Sequence, residues 1–147
     1  MMEANEQVKE ALRARAEEES RPFCYTDYVA VDADSDGRYV CLKCGSDDLM
    51  RELPGVGVEW GYEWVMEHLV KEEGEEVDIA ELYRDLLDES YPDVKVLEFQ
   101  YSVSYVLETV DPETFKMGAS EYADSEVEDG RLIGLNGKYY RMDGITE

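Results

Sequence analysis

The sequence predicts an α+β fold: a small antiparallel sheet packed by two or three helices, with a β-hairpin module near the N-terminus. Three observations carry this expectation. Ile79, Leu82, Tyr83, Leu86 and Leu87 recur at helical spacing. Residues 94–110 alternate, with Leu97, Phe99, Tyr101, Val103, Tyr105 and Leu107 set against Glu98, Gln100, Ser102, Ser104 and Val106. Asn136-Gly137 stands between two strand-like runs, the signal of a type I′ hairpin turn.

Taken in order, residues 3 to about 20 predict a thinly anchored helix with Val8 and Leu12 four apart, ended by Arg21-Pro22. Two short strands, Tyr28–Val31 and Arg38–Cys41, flank the turn-forming run Asp32 to Gly37. A helix is expected from about Val58 to Glu73, carrying Trp60, Trp64, Val65, His68 and Leu69, with Gly61 weakening its start and Gly74 ending it. The next helix spans about Val77–Glu89 with Asp78 as its cap, and Ser90-Tyr91-Pro92-Asp93 breaks the chain.

Residues 94–110 read as a half-buried strand or a pair of them, and the absence of a turn residue favours one long bent strand over a hairpin. Asp111-Pro112 begins a short helix to about Ala123, residues 124–130 read as an acidic loop, and residues 131–142 form the last hairpin. The domain expectation is an N-terminal helix or arm (1–21), a hairpin module (22–48) and an acidic α+β domain (49–147) that forms one compact unit with the module.

Charge narrows the function classes. The 147 residues hold 37 acidic and 14 basic side chains, a net charge of −23 at neutral pH. At 44 % hydrophobic residues the chain can still bury a core, so the charge is expected on a folded surface. Such a surface repels nucleic-acid phosphates and anionic membranes and attracts basic proteins. The start, Met1-Met2-Glu3-Ala4-Asn5-Glu6, is acidic where a secretion signal is basic, and no long apolar run follows, which predicts a cytoplasmic protein. Three cysteines, two of them in Cys-x-x-Cys, then favour a metal over disulfides.

The sharpest motif is Cys41-Leu42-Lys43-Cys44-Gly45, preceded by Cys24-Tyr25-Thr26-Asp27. Two thiolates two residues apart can grip one tetrahedral ion, and the glycine permits the tight turn of a knuckle. Over residues 22–48 the pattern resembles a zinc ribbon, two knuckles at hairpin tips sharing one metal. That resemblance implies a structural zinc held by Cys24, Asp27, Cys41 and Cys44. It departs from the family at Asp27, where a cysteine is usual. Carboxylate oxygen also binds zinc, and His68 is the alternative fourth ligand. Asp32-x-Asp34-x-Asp36-Gly37 matches the opening of an EF-hand loop, but Lys43 stands where the bidentate glutamate belongs, so calcium is not expected.

Glu59, Glu63 and Glu67 lie four apart, which on one helix would align three carboxylates about 6 Å apart, and Glu72, Glu73, Glu75 and Glu76 extend the acidity. Such a row can imitate DNA phosphates. One histidine, no nucleophile motif and no phosphate loop leave catalysis unsupported. The expected function is therefore a non-enzymatic acidic interaction protein. It would inhibit a nucleic-acid-binding protein by occupying its basic site, as anti-restriction and anti-CRISPR proteins do. The alternatives are an immunity or antitoxin protein against a basic nuclease, and a zinc-ribbon adaptor from a high-salt cytoplasm.

Overall fold

Val8, Leu12 and Ala16 recur every four residues and have no solvent exposure, so the thin stripe near the N-terminus is enough to seat a helix. The computed structural model describes residues 2–144 and is α+β, as the sequence predicts. In chain order its elements begin with β1 (Met2–Glu3), α1 (Glu6–Glu19), β2 (Arg21–Cys24), β3 (Val29–Ala30), β4 (Met50–Leu53), β5 (Gly57–Glu59) and α2 (Glu63–Glu73). There follow β6 (Glu75–Val77), α3 (Ile79–Ser90), β7 (Val94–Val96), β8 (Phe99–Tyr101), α4 (Val103–Val110), α5 (Pro112–Glu128), β9 (Ile133–Leu135) and β10 (Lys138–Arg141). Among the described residues no helix is long and apolar enough to cross a membrane. The chain divides into two compact units, Glu6–Glu73 and residues 2–5 with Gly74–Asp143.

The unit Glu6–Glu73 packs α1 against α2 and carries an antiparallel sheet in the order β3-β2-β4-β5. Helix α1 ends at Ser20, whose hydroxyl donates to the Ala16 carbonyl. Arg51 of β4 closes that helix end, donating to the carbonyls of Glu17 at 3.0 Å and Ser20 at 2.8 Å and to the Ser20 hydroxyl at 3.0 Å. The helix expected from Val58 starts later. Residues 57–59 pair with β4 instead, Gly61 turns the chain at φ +79°, and α2 begins at Glu63. The strand expected at Arg38–Cys41 reduces to a single bridge between Ala33 and Tyr39. Asp34 uses its carboxylate within that turn, accepting from the backbone N–H groups of Asp36 and Arg38, both at 2.9 Å.

The other unit joins β1, β9, β10 and β6, in that order, into an antiparallel sheet. The β9–β10 turn is Asn136-Gly137, with φ of +53° and +79°, as the sequence predicts. Asp78 caps α3, accepting from Ala80 N–H at 3.0 Å. Helices α3, α4 and α5 pack against one another.

The long strand expected over residues 94–110 is not formed. Leu97 turns at φ +58°, so Val96 pairs with Phe99 in a tight hairpin, and Ser102 caps α4. Val103, Val106, Leu107 and Val110 fit helical spacing as well as the alternation fits a strand, and the serine cap favours the helix. The acidic loop expected at 124–130 is also mostly helix, because Ala119 and Ala123 continue the buried face begun by Phe115 to the end of α5 at Glu128.

Candidate metal centre

Two turns of the unit Glu6–Glu73 bring the candidate ligands together. The β2–β3 hairpin pairs Cys24 with Val29, so Asp27 sits in the turn between them, where Tyr28 takes a positive φ of 52°. The ring of Phe23 meets Tyr28 edge-on at 5.0 Å and supports that turn. The second turn is closed by Gly45 N–H donating to the Cys41 carbonyl at 2.7 Å and by Cys41 N–H donating to Ser46 at 2.9 Å. Gly45 has φ +73°, a backbone glycine adopts without strain. Cys24 and Cys41 are buried in a small apolar cluster with Val31, flanked by Val29 and Leu49, while Cys44 lies at the surface.

The donor atoms of Cys24, Asp27, Cys41 and Cys44 all lie within 4.8 Å of one another, close enough to hold a metal ion. Cys24 Sγ is 3.6 Å from Cys44 Sγ and 3.8 Å from Asp27 Oδ2, and Cys41 Sγ is 3.1 Å from the same oxygen. A tetrahedral ion with metal–sulfur bonds of about 2.3 Å and a metal–oxygen bond of about 2.0 Å separates its donors by roughly 3.5–3.8 Å. The donors are close enough to converge on one ion, with Cys24 and Cys41 on the buried side and Cys44 at the surface.

Electrostatics within the cluster are uneven. The backbone N–H of Asp27 and the neighbouring thiols hold Cys24 below the ordinary thiol range. Hydrogen bonds from the Cys41 and Cys44 thiols hold the Asp27 carboxyl low. At Cys44 the Ser46 backbone N–H favours the thiolate, yet desolvation and the hydrogen bonds to Cys24, Asp27 and Cys41 outweigh it and push the thiol up to about 11. Each further negative charge in the cluster is harder to place, and a dication would cancel that cost.

The chain matches no known protein family, no curated protein and no solved structure.

His68 is not among the converging groups. It lies on α2, beside a surface cavity of about 400 Å³ lined also by Glu19, Leu53, Val56 and Glu72. Among the described residues, Asp32, Asp34 and Asp36 do not form a metal-holding group. The carboxylate row is broken, because Glu59 belongs to β5 and only Glu63 and Glu67 share α2. Glu72 is exposed near the end of α2, and Glu73 is held by Arg15 at 2.7 Å. Glu75 and Glu76 lie on β6, the first opposite Arg141 and the second ion-paired with Lys138 at 3.3 Å. The backbone of Ser46 and the apolar backing of Val31 and Leu49 escaped the sequence reading, since main-chain hydrogen bonds leave no residue signature.

Proposed function

We propose that Cys24, Asp27, Cys41 and Cys44 hold one structural zinc, in a ribbon-like centre of a non-enzymatic acidic interaction protein. The observation that carries the metal reading is the convergence of the four donors within 4.8 Å. Three thiols and one carboxylate at tetrahedral spacing suit zinc, which binds sulfur and oxygen without redox change. A metal at this place would tie two turns that are otherwise backed by buried Val31 and the partly buried Val29 and Leu49.

The interaction reading rests on the net charge of −23, which opposes compaction and favours a basic partner. The partner we propose is a basic nucleic-acid-binding protein, inhibited by occupation of its phosphate-binding surface. The broken glutamate row means that the proposal rests on the whole acidic surface and not on one helix face.

Atomic emission on purified protein should find one zinc per chain, and substitution of Cys24 and Cys41 by serine should remove it. A metal-free protein that keeps its fold and takes up no zinc would end the metal reading. For the partner, tagged protein should retain a basic nucleic-acid-binding protein that salt elutes and duplex DNA displaces. Retention unaffected by DNA would place the contact elsewhere on that protein and reject phosphate-site occupation.

A further inference from the structure

Hairpin β7–β8 has a bare apolar face. Its register pairs Val94 with Tyr101, Lys95 with Gln100 and Val96 with Phe99. Directly opposed residues share a side, so Val94, Val96, Phe99 and Tyr101 lie on one face and Lys95 and Gln100 on the other. Such an amphipathic ribbon is ordinarily laid against a core, and a two-stranded hairpin is marginal in water without cover. Here Val96 is 53 % exposed and Phe99 60 %. Tyr105 of α4 stacks on Tyr101 at 5.9 Å and, itself 57 % exposed, widens the face.

The turn supplies a second observation. Leu97 is 82 % exposed and holds φ +58°. The other two-residue turn described, Asn136-Gly137, places its positive φ values on residues that adopt them readily. At the hairpin tip the chain places a large apolar side chain on unfavourable backbone, in open solvent. An outlier of this kind points to use by a partner. The surroundings are acidic: Glu98 sits in the turn and Asp93 precedes β7, both exposed.

We infer that this face is a docking surface for a basic partner segment with an apolar stripe. The stripe would cover Val96, Phe99 and Tyr101, Leu97 would anchor at its end, and lysines or arginines beside it would meet Glu98 and Asp93. Charge decides against a second copy of the chain, since two surfaces of −23 repel. The inference rests on the basic-partner reading above and is independent of the metal.

The test uses two synthetic peptides of equal length and charge. One is an amphipathic leucine–lysine helix, and the other alternates lysine with serine. Binding is measured by calorimetry on the full chain at one ionic strength, with amide NMR shifts to locate it. We expect the amphipathic peptide to bind at least about tenfold tighter, the worth of one buried leucine-sized side chain. Its shifts should centre on residues 94–105. In Leu97→Asn, which suits the turn better and keeps the fold, that preference should fall several-fold, and Phe99→Ser should lower it further.

Equal binding of the two peptides, or a preference unchanged in Leu97→Asn, overturns the docking face and leaves the charge-driven reading standing. Failure of both peptides to bind overturns both. Self-association of the free chain that Leu97→Asn abolishes would make a second copy the occupant and overturn the basic-segment proposal.

Discussion

Asp88 of α3 accepts two hydrogen bonds from Ser104 of α4, one from the backbone N–H at 3.0 Å and one from the hydroxyl at 2.9 Å. Ser104 is buried, and its N–H belongs to the first turn of α4, where helices leave donors unpaired. The carboxylate also places negative charge at the positive end of that helix. Replacing Asp88 by Ala strands two buried donors and should cost about 1–3 kcal/mol. Chemical denaturation checks this, and Asp88→Asn, which keeps an acceptor, should cost less. Because α4 follows β8 directly, hydrogen exchange should also quicken in residues 94–101 of the alanine variant.

Gly118 should tolerate no side chain. A Cβ there would lie 2.1 Å from the Tyr83 hydroxyl oxygen and 2.6 Å from the ring carbon bearing it. Tyr83 cannot swing away freely, since its ring lies 5.3 Å from Phe115 and 6.1 Å from Tyr122. Gly118→Ala gains helix propensity in α5 but must part α3 from α5, so a net loss of about 1–3 kcal/mol is expected in denaturant titrations. A stabilised variant would refute the packing described for these helices.

Asp27 offers a graded test of the metal centre. Asp27→Ala leaves three thiols and should weaken zinc binding by more than about a hundredfold, since losing a direct ligand should exceed the loss of an outer-sphere partner. Asp27→Cys restores a four-sulfur set at the same spacing and should bind at least as tightly as the parent. Competition with a chromophoric chelator reads both. Hydrogen exchange over residues 23–49 should rise on chelation in the parent protein.

Zinc affinity should increase with pH. In the metal-free site the Cys44 thiol is pushed up to about 11, so it is protonated at neutral pH and must lose that proton to bind metal. Asp27 and Cys24 are shifted down, which favours their charged forms. Each proton displaced steepens the affinity by about tenfold per pH unit, so at least that slope is expected between about pH 6 and 8. Calorimetry in buffers of different ionisation enthalpy should show at least one proton released per ion. A flat profile would mean that Cys44 does not ligate.

Features with local causes were legible in the sequence. Asn136-Gly137 specifies its turn by backbone preference, Asp78 caps α3 through N–H groups two and three residues on, and Cys-x-x-Cys states its own spacing. The convergence of Asp27 on the cysteines followed from two such turns. Residues 94–110 misled because their apolar positions satisfy two periods at once. Distant residues support the outcome: Asp88 meets Ser104 and Arg84 pairs with Glu108 at 2.8 Å. Strand β5 was hidden for a related reason, since its pairing with β4 overrides the helical look of the residues leading to Trp60. The alternation set Leu97 on one face with Phe99 and Tyr101, whereas the turn takes Leu97 out of the strands and brings Val94 and Val96 to that face, and alternation does not report what lies against a face.

Met2 and Glu3 pair with Leu135 and Gly134, nearly the whole described chain away. The unit they belong to is thus interrupted by the other unit, which occupies Glu6–Glu73. On a ribosome, where the chain emerges from its N-terminal end, the inserted unit can finish while β1 waits without a partner. The interrupted unit closes only after β9 and β10 have emerged, and the β1–β9 contact of high sequence separation is slow to form. Fusion partners placed ahead of β1 would burden this last step, whereas fusions within exposed loops of the inserted unit would leave it untouched.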